Sequence, residues 1–70
     1  MKYIITSFGE VIIGNVGHYE LRNASGALSE IESAGHCKLE NGKIKVWGKS
    51  ATFNIPSREE DADIVTKYFL

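Results

Sequence analysis

Few side chains in this chain have a type and spacing suited to chemistry: His18, the neighbours His36 and Cys37, a hydroxyl-bearing loop at Ser50–Thr52, and the acidic run Glu59, Glu60, Asp61, Asp63. His18 stands between Gly17 and Tyr19, where a turn is expected to enter a strand near the surface. A neutral imidazole there can act as a base or a nucleophile, or simply serve the fold. Gly48-Lys49-Ser50-Ala51-Thr52 reads as a short polar loop between two apolar strands. Such a loop can turn N–H groups and hydroxyls toward an anion, or be a plain connection. His36 with Cys37 suggests half a zinc site, but adjacent strand residues point to opposite faces and no second pair stands at ligand spacing. No metal and no cofactor is expected, and Cys37 reads as a small core residue. The four acids fall where the first turns of a helix would be, and the helix dipole accounts for them.

Charge and composition narrow the partners. Eight basic and nine acidic residues leave a net charge of −1, which argues against nucleic acid, whose binding is largely neutralisation of phosphate. There is equally no reason to expect a basic membrane patch, and no apolar run approaches the length of a span. The opening Met1–Thr6 carries one charge and a five-residue apolar-leaning stretch, too short for a signal peptide. The single cysteine cannot form an internal disulfide, which fits a cytoplasmic setting. Asn23-Ala24-Ser25 matches a glycosylation triplet, which without an export signal reads as chance.

The elements that must hold these residues are short. Seventy residues make one domain, 1–70, and a chain this small buries only about 60% of its unfolded surface. Lys2–Phe8 reads as a strand, Gly9-Glu10 breaks it, and Val11–Ile13 resumes. His18–Leu21 looks like a third strand, and Asn23–Ala27 like turn chemistry with room for one helical turn at most. A strand over Glu30–Glu40 then meets Asn41-Gly42, the cheapest type I′ hairpin pair. Along Lys43–Gly48, Ile44 and Val46 alternate with Lys43, Lys45 and Trp47. Ala51–Ile55 gives a last strand, with Phe53 and Ile55 on one side. Pro56-Ser57 ends the sheet and starts a helix to about Tyr68, with Ser57 and Glu60 as a capping box. Ala62, Val65 and Phe69 form its apolar row, flanked by Ile64 and Tyr68. The expected fold is α+β: a small, mostly antiparallel sheet of about five or six short strands with one amphipathic C-terminal helix packed on it. Trp47 on a lysine-bearing face calls for cover from that helix or from a second copy, so a homodimer burying Trp47 or an edge strand is expected.

Four segments, in order, resemble the janus, or phosphohistidine phosphatase, family. Lys43-Ile44-Lys45-Val46-Trp47-Gly48-Lys49-Ser50 is similar to its signature of a Lys-led alternating strand, an aromatic, a Gly and a Ser. Lys2-Tyr3-Ile4-Ile5 resembles its first strand, and Glu10–Gly14 followed by His18–Leu21 resembles the strand that carries its catalytic histidine. Ala34-Gly35 is similar to the glycine segment ahead of the signature. The resemblance implies His18 as the catalytic residue, with Lys2, Ser50, Ala51 and Thr52 holding phosphate. The family's helix after the histidine strand is here reduced to Ser25–Ser29 or lost.

On that resemblance the chain would bind phosphate on a phosphorylated protein or a small phosphoester, and hydrolyse it through His18. Phosphoryl transfer is mostly positioning and charge stabilisation, so an ammonium, a few N–H groups and one imidazole form a coherent set. The competing reading is a non-catalytic binding or self-associating module that keeps only the fold. A third, an oligonucleotide-binding barrel, fits short strands with exposed aromatics but not the net charge.

Overall fold

The computed structural model describes residues 1–25 and 30–69. In chain order these form β1 (Lys2–Thr6), β2 (Val11–Gly14), α1 (His18–Ser25), β3 (Ile31–Glu40), β4 (Lys43–Trp47), β5 (Lys49–Ser50), β6 (Ile55–Pro56) and α2 (Asp61–Phe69). The first four strands make one antiparallel sheet in the order β2-β1-β3-β4, and β5 pairs with β6 in a second small sheet. The expected α+β architecture is therefore present: six strands among the described residues, with a C-terminal helix on the main sheet.

Both faces of the sheet are covered along β1, which explains why Tyr3, Ile4, Ile5 and Thr6 are buried in succession rather than alternately. On one face Tyr3, Ile5, Val11, Cys37 and Ile44 pack around Val65 of α2. On the other, Ile4 and Ala34 meet Leu21 of α1, with Ile12, Ile31 and Ile55 at the margin. The β3–β4 hairpin turns at Asn41 (φ 53°) and Gly42 (φ 80°). Two successive positive φ values are what a type I′ turn requires.

Several expectations need correction. His18–Leu21 is the first turn of a helix, opened by a bond from the Leu21 N–H to the Gly17 carbonyl at 3.2 Å. Helical spacing puts residues three apart on one face, so His18 and Leu21 both turn inward and both are buried. In a strand they would face opposite ways. The same helix runs on through Asn23–Ser25, where turn chemistry was expected. The remainder of the anticipated short turn of helix, residues 26–29, lies outside the described residues.

The strand expected over Ala51–Ile55 is a turn through residue 54, leaving only Ile55–Pro56 to pair with Lys49–Ser50. The Ser50 hydroxyl accepts the Phe53 N–H at 3.2 Å, and Asn54 takes a φ of 55°. A side-chain acceptor and a left-handed residue compete successfully with extension here.

α2 begins at Asp61, four residues later than expected. Ser57 is not its cap: its hydroxyl donates to the Gly48 carbonyl at 2.8 Å, and its N–H to the same oxygen at 3.0 Å. The Asp61 carboxylate instead receives the Arg58 N–H at 2.9 Å and the Tyr3 hydroxyl at 2.6 Å. Val65 lies against the sheet and Ala62 is half-buried, but Tyr68 is exposed. The expected place of the Phe69 side chain lies outside the described residues.

Finally, α2 does not cover Trp47, since Trp47 is on the face opposite Val46 and Ile44. The His36 ring stacks on it instead, with centroids 5.8 Å apart and planes 22° from parallel.

Candidate functional site

The strand register builds a row across three strands. Lys2 of β1 is directly opposite His36 of β3, and His36 is directly opposite Trp47 of β4. Partners in such a pair share a face, so an ammonium, an imidazole and an indole stand side by side. The chain then turns at Gly48 into β5, bringing Lys49 and the Ala51-Thr52 turn to the end of the row. α1 supplies His18 from the other side. Lys2, His18, His36, Lys49, Ala51 and Thr52 together line a cavity of about 180 Å³. Beside it lies a second hollow of about 280 Å³, also edged by Lys2 and His36, with Asn15, Val16 and Gly17.

Of the residues singled out from the sequence, Lys2, His18, Ala51 and Thr52 thus come to one cavity although they are distant along the chain. Ser50 does not line it. Its side chain is fully buried and its hydroxyl is engaged within the turn. His36 and Lys49 do line it, outside the set that the resemblance implies. In the sequence His36 stands out only as half of a zinc pair, and its partnership with Lys2 depends on a strand pairing across more than thirty residues. Lys49 lay within the polar loop already noted, and its charge was the available signal.

His18 is only 3% exposed, and its Nε2 lies 2.9 Å from the Gly35 carbonyl oxygen. A carbonyl only accepts, so Nε2 carries the hydrogen and Nδ1 is the nitrogen left for other chemistry. The His18 and His36 rings meet edge to face, centroids 5.9 Å apart. Partial desolvation, then the His18 ring and the Lys2 ammonium, hold the His36 pKa below its ordinary value. Lys49 Nζ donates to the Asn54 side-chain oxygen at 3.4 Å, a long contact that leaves two ammonium protons for a ligand.

Cys37 and Asp61, by contrast, are consumed by the fold. Cys37 lies in the core, on the face opposite His36, and burial pushes its thiol pKa up. Asp61 is fully buried, with Arg58 Nε donating to it at 3.0 Å besides the Tyr3 hydroxyl. Among the described residues, no three His, Cys, Asp or Glu side chains are grouped to hold a metal ion. Nor is any helix among them long and apolar enough to cross a membrane.

No family model, curated protein or solved structure matches this chain.

Proposed function

We propose that this protein is a small phosphate-binding module, with the phosphoryl group held between Lys2, His36, Lys49 and the Ala51-Thr52 turn. One observation carries the reading. Cationic or protonatable side chains from β1, α1, β3 and β5 line a single cavity of about 180 Å³, and no carboxylate is among its lining residues. Two ammonium groups, an imidazole that gains a proton as an anion approaches, and a hydroxyl suit a tetrahedral oxyanion. A phosphate carried on a protein side chain or on a small ester would fit the same donors.

The module binds and does not hydrolyse. Hydrolysis through His18 would have to use Nδ1 of a buried ring whose Nε2 is committed to a backbone carbonyl. That commitment makes His18 a positioning residue, tying α1 to β3 so that the cavity keeps its shape.

Titration with inorganic phosphate, followed by NMR at the His36 ring and the Ala51 and Thr52 amides, tests the proposal. Saturable shifts with a dissociation constant of about a millimolar or tighter, weakened in Lys2→Ala and Lys49→Ala, are expected. Absence of shifts at these groups would overturn it. Turnover of a phosphohistidine peptide, lost in a still-folded His18→Ala variant, would restore the hydrolase reading.

A further inference from the structure

We propose that the exposed face of β3 and β4 is a track for single-stranded nucleic acid, with a base stacking on Trp47 and the adjoining phosphate in the Lys2–His36–Lys49 cavity. The inference rests on the phosphate reading at that one end of the track.

Trp47 is 44% exposed, although a tryptophan buries a large apolar area wherever packing allows. Stacking on His36 sets its ring in place from one side. Beside it opens a hollow of about 350 Å³ lined by Trp47, Lys38 and Lys45. In the register Lys38 lies opposite Lys45, and Glu40 opposite Lys43, so these side chains share the face that bears Lys2, His36 and Trp47. Glu40 is the only acid among them, and Lys38 binds it at 3.1 Å. Cations thus continue from the phosphate cavity, past the indole, along the rest of the hairpin.

The net charge of −1, which argued against nucleic acid, is a sum over the whole chain, whereas the exposed β3–β4 face carries Lys38, Lys43 and Lys45 against Glu40. Glu60, Asp61 and Asp63 belong to α2 and the turn before it, and α2 packs on the other face, while Glu59 shares a hollow at the hairpin edge with Glu40, Lys43 and Lys45. A flat aromatic next to a phosphate-sized basic pocket, with lysines extending away from both, matches how single strands are held. Bases stack on aromatic side chains while the backbone follows positive charge. An acidic peptide would use the lysines but leave the indole without a planar partner.

The chain has one tryptophan, so fluorescence excited selectively at tryptophan reports on Trp47 alone. Oligothymidylate of about ten nucleotides should quench it saturably. Affinity should fall with salt, with a log–log slope of about −2 to −3 if three or four phosphates are neutralised. With a labelled oligonucleotide and anisotropy as readout, Trp47→Leu should weaken binding by at least about fivefold, the low end for loss of one stacked base. The Lys38→Ala, Lys45→Ala double variant, altered only at exposed positions, should flatten the salt slope. Inorganic phosphate should compete.

If phosphate binds at the cavity but the oligonucleotide neither quenches nor binds, the track is wrong and the phosphate module stands. If neither binds, both fail. A dimer by sedimentation in which Trp47 fluorescence is shielded from a soluble quencher, with no oligonucleotide binding, would assign this face to a second copy and overturn the inference.

Discussion

His18 Nε2 lies 2.9 Å from the carbonyl oxygen of Gly35, joining the first residue of α1 to the middle of β3. The bond is buried, and α1 is otherwise anchored to the sheet chiefly through Leu21. Replacing His18 by Ala leaves a carbonyl without its partner and empties the volume of a ring. A loss of about 2–4 kcal/mol is expected from these two effects, read as a lowered urea midpoint with the slope preserved. An unchanged midpoint would show that the contact contributes nothing to the fold and would reopen His18 as a residue kept for chemistry.

The sequence made β1, β2, the β3–β4 hairpin and the C-terminal helix legible because each rests on a local signal: β-branched runs, an Asn-Gly pair, an apolar row. It concealed α1. His-Tyr-Glu-Leu alternates well enough for a strand, and its helical identity lies in His18 and Leu21 both needing the interior, which only tertiary packing demands. Ser57 misled in a similar way. Its spacing to Glu60 is that of a capping box, but its hydroxyl is drawn to Gly48, a partner nine residues back whose position depends on where β4 ends. In the site, Lys2, His18, Ala51 and Thr52 could be picked out through resemblance, whereas His36 entered through strand register alone.

Tyr3 and Asp61 set the alkaline limit of stability. Burial first, and then the hydrogen bond and charge of Asp61, raise the Tyr3 pKa far above its ordinary value. The folded state therefore keeps the phenol protonated where the unfolded chain would ionise it. Stability from this source is fully present below pH about 10 and is lost as pH rises beyond it. Cys37, raised by burial, adds a similar loss beginning near pH 8.5. Urea midpoints measured across pH 8 to 11 should fall, and Tyr3→Phe should flatten the part above 10. At neutral pH the same substitution should cost about 1–3 kcal/mol by leaving Asp61 one donor short.

Two glycines in the β3–β4 region should respond differently to alanine. A Cβ at Gly42 meets nothing within 4 Å, so Gly42→Ala carries only the penalty of its positive φ, about 1–2 kcal/mol. At Gly35 a Cβ would come within 2.7 Å of the Trp47 carbonyl oxygen and 3.0 Å of the Ser57 side chain. Neither the β4 end nor the Ser57–Gly48 tether can retreat freely. Gly35→Ala should cost about 1–3 kcal/mol and, unlike Gly42→Ala, should also change Trp47 fluorescence. An unperturbed Trp47 spectrum in a folded Gly35→Ala variant would contradict the packing described here.

The pH signature of the cavity should come from His36. Desolvation, His18 and Lys2 hold its folded pKa below the ordinary 6.5, so in the free protein the unfolded state takes up the proton first as pH falls. That part of the stability is intact above about pH 6.5 and is lost as pH drops through the folded value. An anion in the cavity reverses the balance, because it favours the imidazolium that Lys2 disfavours. Sulfate is the cleaner probe, since its charge is constant in this range while phosphate itself titrates. Its affinity should rise as pH falls from 6.5, and the His36 ring shifts should show a pKa raised by sulfate. His36→Gln should remove the rise while leaving the weaker binding due to Lys2 and Lys49, since the carboxylates titrate about two units lower and the buried His18 ring is held to the Gly35 carbonyl. Sulfate affinity that is flat with pH in the parent protein, or a rise that survives in His36→Gln, would separate His36 from the anion site and leave the cavity without its switchable charge.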